Sequence, residues 1–158
     1  MKIEGIDHIH IFVNDLEGAM KFFSDIMGTK FIGPIDHRKS GAGRTIRVAF
    51  DNAGIELISP TIPDDPVAKY MEKLDGGEGL GSIGLRVPDI DEAIAELEAK
   101  GVKLERRASG PGIRVAIFYP ENAYGVRLEL VEYDTVRPIA VANVGMLNQL
   151  PWFEGQSS

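Results

Sequence analysis

Residues 6–31 read IDHIHIFVNDLEGAMKFFSDIMGTKF, and residues 80–104 read LGSIGLRVPDIDEAIAELEAKGVKL. Each stretch begins with an alternating apolar and polar run, which is the period of a half-buried strand. Each then passes through a short Asp-containing turn into a run with helical periodicity, and on through glycine to a second strand. The two align with an offset of 82 − 8 = 74, which puts Ser82 on the position of His8. Self-similarity at a fixed period takes precedence over any local reading, because it gives the architecture as well as the elements.

The similarity continues downstream. Residues 46–59, IRVAFDNAGIELIS, match residues 113–131, IRVAIFYPENAYGVRLELV. In both, an apolar strand meets an Asn-Ala turn and returns as a strand with a central glutamate, Glu56 or Glu129. The repeat unit is therefore βαβββ, about residues 5–60 and 79–133. The expected fold is α+β: two βαβββ modules packed together as a cup-shaped mixed sheet with the helices outside. Residues 1–135 form one domain in this reading, and 136–158 form a C-terminal tail whose apolar residues dock at a place the sequence does not specify.

The helices have their own signals. Asn14 or Asp15 is placed to cap the first, whose apolar stripe is Leu16, Met20, Phe23 and Met27. Asp89 with Glu92 has the form of a capping box, followed by the stripe Ile90, Ala93, Ile94 and Leu97 and ended by Gly101. A linker helix is expected from Asp65 to Leu74, capped by Asp64, with Pro66 in its first turn. The segment GPIDHRKSGAGR, which contains His37, reads as a basic, glycine-rich flap. It lacks the strand-to-helix context of a phosphate loop.

Composition removes several functional classes. The chain has 158 residues, 44% of them hydrophobic, enough for a proper core. Lys and Arg number 17 against 24 Asp and Glu, a net charge of −7 that disfavours nucleic acid and anionic membranes as partners. Without cysteine, a metal has to be held by His, Asp, Glu or water. The start of the chain, MKIEGIDHIHIFV, does not have the form of a signal peptide, and a cytoplasmic location is expected.

Strand alternation sorts the site residues. In the first strand, Ile9, Ile11 and Val13 form the helix-facing side and His8, His10 and Phe12 the other. In the matching strand, Ile83, Leu85 and Val87 oppose Ser82, Gly84 and Arg86. Glu56 opposes Ile55 and Leu57, while Arg127 and Glu129 oppose Leu128 and Leu130. Two histidines, two glutamates, two arginines and a serine on the faces turned from the helices are not a core composition.

At these residues the chain resembles the vicinal oxygen chelate superfamily of glyoxalase I, methylmalonyl-CoA epimerase, extradiol dioxygenases and the bleomycin and fosfomycin resistance proteins. The resemblance covers residues 5–133 and is carried by DHIHIFVNDLEGAMKFFSDIMG, GIELISP, DDPVAKYMEKL and GVRLELVEY. It implies metal ligands at His8, Glu56 and Glu129, with Ser82 where the family usually has histidine. One imidazole and two carboxylates suit a divalent ion such as Zn, Mn, Co, Ni, Fe or Mg. The implied activity is that of a lyase or of an isomerase or epimerase, stabilising an enolate or oxyanion of a small carbonyl or thioester. Glu129, Glu56 and His10 would be its catalytic groups, and Arg86, Arg127, Phe12 and Ser82 would bind substrate. The departure at Ser82 keeps open a metal-free small-molecule binding protein, and an iron dioxygenase stands third. A homodimer is expected from the family's habit.

Overall fold

The structure is a computed structural model, and it describes residues 1–38, 45–51, 53–110 and 112–134. The tail from residue 135 and the glycine-rich part of the expected flap, 39–44, lie outside the described residues.

The element order is that of two βαβββ modules. Strands β1 (Gly5–Phe12), β2 (Ile32–Arg38), β3 (Thr45–Phe50) and β4 (Ile55–Pro60) belong to the first, with helix α1 (Leu16–Met27) between β1 and β2. A connecting helix α2 (Pro66–Met71) leads to β5 (Gly79–Arg86), α3 (Ile90–Ala99), β6 (Leu104–Gly110), β7 (Ile113–Phe118) and β8 (Leu128–Tyr133). The mixed sheet has the strand order β2-β3-β4-β1-β5-β8-β7-β6. The chain divides into two compact units, Ile9–Gly81 and a second made of Met1–His8 with Ser82 onward, so β1 contributes to both.

Within the first unit, β1 pairs in parallel with β4, and β3 runs antiparallel to both β4 and β2. A parallel pair requires a crossover, which α1 supplies. Asp15 caps α1 by accepting from the Gly18 N–H at 3.0 Å. Gly28 closes the helix in the left-handed conformation at φ 67°, where a Cβ would be strained. The apolar stripe seals the sheet: Leu16 packs with Val13, Ala49 and Leu57, and Ile11, Met20 and Phe23 flank them. Met27, the last residue of the expected stripe, is about half exposed at the C-terminal end of the helix.

Two expectations need correction here. Asp65, not Asp64, caps α2, accepting from the Val67 N–H at 2.7 Å, and the helix stops at Met71. Pro66 then takes the first helical position, where its missing N–H costs nothing. The backbone around His37 is strand rather than flap: β2 runs to Arg38 and pairs with β3 through His37↔Ile46.

The second unit repeats the plan. β5 and β8 pair in parallel, and β7 runs antiparallel to both β8 and β6. Asp89 caps α3, accepting from the Glu92 N–H at 3.0 Å, as the capping box requires. Ile90, Ala93, Ile94 and Leu97 pack on Val87, Ala116, Phe118 and Leu130, the main core of this unit.

Leu130 is fully buried in that cluster. Leu130→Ala is expected to lower unfolding free energy by about 2–5 kcal/mol through lost burial and the cavity left behind. Urea denaturation followed by circular dichroism measures it.

Candidate metal centre

His8 and His10 are alternate residues of β1, so the pleat turns both imidazoles to the same side of the strand. Both are buried, each 8% exposed. Each has a glutamate brought to it by the parallel pairing of its own unit.

In the first unit, His10 is registered opposite Glu56 across β1 and β4. Its Nε2 lies 3.0 Å from Glu56 Oε2. Phe12, two residues on, stacks near the His10 ring with centroids 6.4 Å apart, and meets Tyr70 edge-on at 5.7 Å. Phe12 is only 1% exposed, enclosed by Ile58, Val67 and Met71. A Cβ at Gly81 would sit 2.5 Å from its ring. The residue expected to offer an open aromatic face is instead core beneath α2, since the connecting helix covers this end of β1.

In the second unit, His8 Nε2 lies 3.6 Å from Glu129 Oε1, and Glu129 is 5% exposed. The register across β5 and β8 is Gly84↔Glu129, and Gly84 is the repeat equivalent of His10. With no side chain there, the space is taken by the His8 ring. A Cβ at Gly84 would lie 2.7 Å from His8 Cε1 and 2.9 Å from Nδ1. Ser82, on the position equivalent to His8, is 1% exposed.

The far side of the His8 ring is held by Asp7. Nδ1 lies 2.9 Å from Asp7 Oδ2, which also accepts from the Tyr133 hydroxyl at 2.8 Å, while Oδ1 accepts from Arg86 Nη2 at 3.0 Å. Burial alone would raise the Asp7 pKa, but bonds from His8, Tyr133 and Arg86 to the charged form outweigh it and hold the carboxyl below its ordinary value. The Arg86 guanidinium also lies 5.6 Å from the Tyr133 ring centroid. Its counter-ion is thus Asp7.

Arg127 is committed as well. Its guanidinium forms a fork with the Glu105 carboxylate, with contacts of 2.7, 2.9 and 3.0 Å, and is 7% exposed. Asp7, Tyr133 and Glu105 were not singled out from the sequence. Asp7 directly precedes His8 in the quoted stretch, and Tyr133 ends the GVRLELVEY segment, so adjacency was the available signal.

Within the second unit the buried His8 imidazole and Glu129 carboxylate face each other, and within the first His10 is paired with Glu56 in the same way. Two donors about 2.1 Å from a shared ion are roughly 3.0–3.5 Å apart, close to the 3.6 Å between His8 Nε2 and Glu129 Oε1. The donor set is imidazole and carboxylate, which fits a borderline divalent cation. The geometry and chemistry of these residues therefore fit a metal.

A model of the Glyoxalase/Bleomycin resistance protein/Dioxygenase superfamily matches residues 7–117, and the chain belongs to that superfamily. It is 27% identical over 128 residues to the mitochondrial methylmalonyl-CoA epimerase of Bos taurus, covering 79% of this chain and 72% of that one. It is 32% identical over 132 residues to a probable lactoylglutathione lyase of Synechocystis, covering 79% and 92%. Among solved structures, methylmalonyl-CoA epimerase from Mycobacterium tuberculosis matches with a TM-score of 0.67 at 27% identity, over 84% of this chain and 90% of that one.

Gly84→Ala is expected to push the His8 ring off its seat. A destabilisation of about 1–3 kcal/mol from overpacking should accompany it. The measurements are a urea melt and the shift of the His8 Cε1 proton by NMR.

Proposed function

We propose that the protein is a metal-dependent isomerase or lyase that moves the proton α to the carbonyl of a small ketone or thioester. The observation that carries this reading is the buried imidazole–carboxylate pair of His8 and Glu129, 3.6 Å apart. Its support from relatives is the similarity to methylmalonyl-CoA epimerases and lactoylglutathione lyases. One solved relative, at 27% identity and a TM-score of 0.68, is a methylmalonyl-CoA epimerase in complex with methylmalonyl-CoA and NH4+.

In this reading His8 and Glu129 would hold the ion. A divalent cation bound there would supply Lewis acidity toward the substrate carbonyl. Glu56 is the proton carrier: its side chain is mostly buried and set against His10 Nε2 at 3.0 Å. The Glu56 carboxylate takes the α-proton as the C–H electron pair moves toward the carbonyl oxygen, then returns the proton to carbon. Burial of both histidines and Glu129 keeps bulk water from competing for these positions.

Ser82 is the observation that favours the second reading, a metal-free binding protein, because serine is a poor ligand where the resemblance implied a histidine. Metal analysis and isotope exchange separate the two. Protein purified without chelator is expected to carry a stoichiometric divalent ion and to exchange the α-proton of methylmalonyl-CoA for deuterium in D2O, followed by proton NMR. Glu56→Gln should keep the ion and slow exchange by about 10²–10⁴-fold. Loss of the ion from that variant would make Glu56 a ligand instead of the base. Wild-type protein with neither ion nor exchange would leave the binding protein standing.

A further inference from the structure

We infer that Asp7 is a positioning residue that fixes the His8 imidazole with its proton on Nδ1, leaving the Nε2 lone pair directed toward Glu129. The consequence for metal affinity rests on the metal-centre reading above, whereas the tautomer itself does not.

The donors around Asp7 fix the tautomer. Asp7 is 3% exposed and, ionised, it can only accept hydrogen bonds. Arg86 can only donate, and its Nη2 reaches Oδ1 at 3.0 Å. Tyr133 reaches Oδ2 with its hydroxyl at 2.8 Å and donates to the carboxylate. The remaining contact, His8 Nδ1 to Oδ2 at 2.9 Å, then has to be a donation from the ring. An Nδ1 without a proton would face a carboxylate oxygen lone pair to lone pair, in a place where burial makes that repulsion costly. Nε2, 3.6 Å from Glu129 Oε1, is accordingly the nitrogen whose lone pair can meet a cation.

Three further features make the arrangement rigid. The ring cannot slide toward β5 without meeting the backbone at Gly84, nor can a side chain there displace it. Asp7 and His8 are consecutive residues of one strand, so the carboxylate moves with the ring it holds. Arg86 and Tyr133 arrive from β5 and β8, so the Asp7 carboxylate is braced from two other strands. Histidines that bind metals commonly donate their other ring nitrogen to a carboxylate, and losing that partner weakens binding about 10–100-fold.

The test uses the full chain with 15N-labelled histidine, free of metal, with the pH raised until the His8 ring holds a single proton. Two-bond 1H–15N correlation NMR is expected to show that proton on Nδ1. Titration with Co²⁺ alone, followed by visible absorption, should show Asp7→Asn binding about 10–100-fold more weakly than wild type, with the melting temperature checked to confirm folding. A wild-type ring protonated on Nε2 would overturn the inference, and so would a folded Asp7→Asn protein binding Co²⁺ as tightly as wild type. Wild-type protein that binds no Co²⁺ would remove the metal reading while the tautomer still decides the role of Asp7. Because the wild-type tautomer needs no variant, the inference stays testable if Asp7→Asn fails to fold.

Discussion

In each module the first strand lies in parallel beside the last, and this pairing sets the positions of the polar groups. Its register places His10 opposite Glu56 in one module and Gly84 opposite Glu129 in the other. Because side chains alternate strictly along a strand, a slip of one residue would move every ligand to the helix side. The slip is blocked by the apolar stripes of α1 and α3, which accept only Leu57 and its neighbours in one unit and Leu130 and its neighbours in the other. Hydrophobic packing on one face thus determines the geometry of the charged face.

That charged face is buried, and burial sets conditions. An ionised group removed from water must be paired or its charge is lost. Asp7 meets the condition with three donors, and Arg127 with the fork to Glu105. The basic residues on the inner strands therefore serve acidic neighbours of this chain, which is why Arg86 and Arg127 hold carboxylates that belong to the fold. Arg86, through Asp7, braces the His8 ring.

The two modules are similar in plan but have diverged at the site. The repeat equivalent of His8 is Ser82, and that of His10 is Gly84. The loss of side-chain bulk at Gly84 is what lets the His8 ring settle beside β5. A module pair with histidines at both equivalents would not have that room. The asymmetry thus concentrates imidazoles on β1 and leaves β5 as the surface against which one of them rests.

The repeat, the element order, the cap at Asp89 and the alternation of His8, His10, Glu56 and Glu129 were legible in the chain, and the cap of α1 was narrowed to Asn14 or Asp15. Each is a local or periodic property, written in neighbouring residues or in a fixed offset. The capping of α2 by Asp65 was misread by one position because two adjacent aspartates carry the same signal. The burial of Phe12 was missed because alternation assigns a face without saying what covers it. The partners of the charged groups belong to the folded state alone: Tyr133 reaches Asp7 across 126 residues, and Arg86 across 79. A side chain's period tells which way it points, but which distant charge it meets depends on strand order and register, and those are decided by packing the whole sheet.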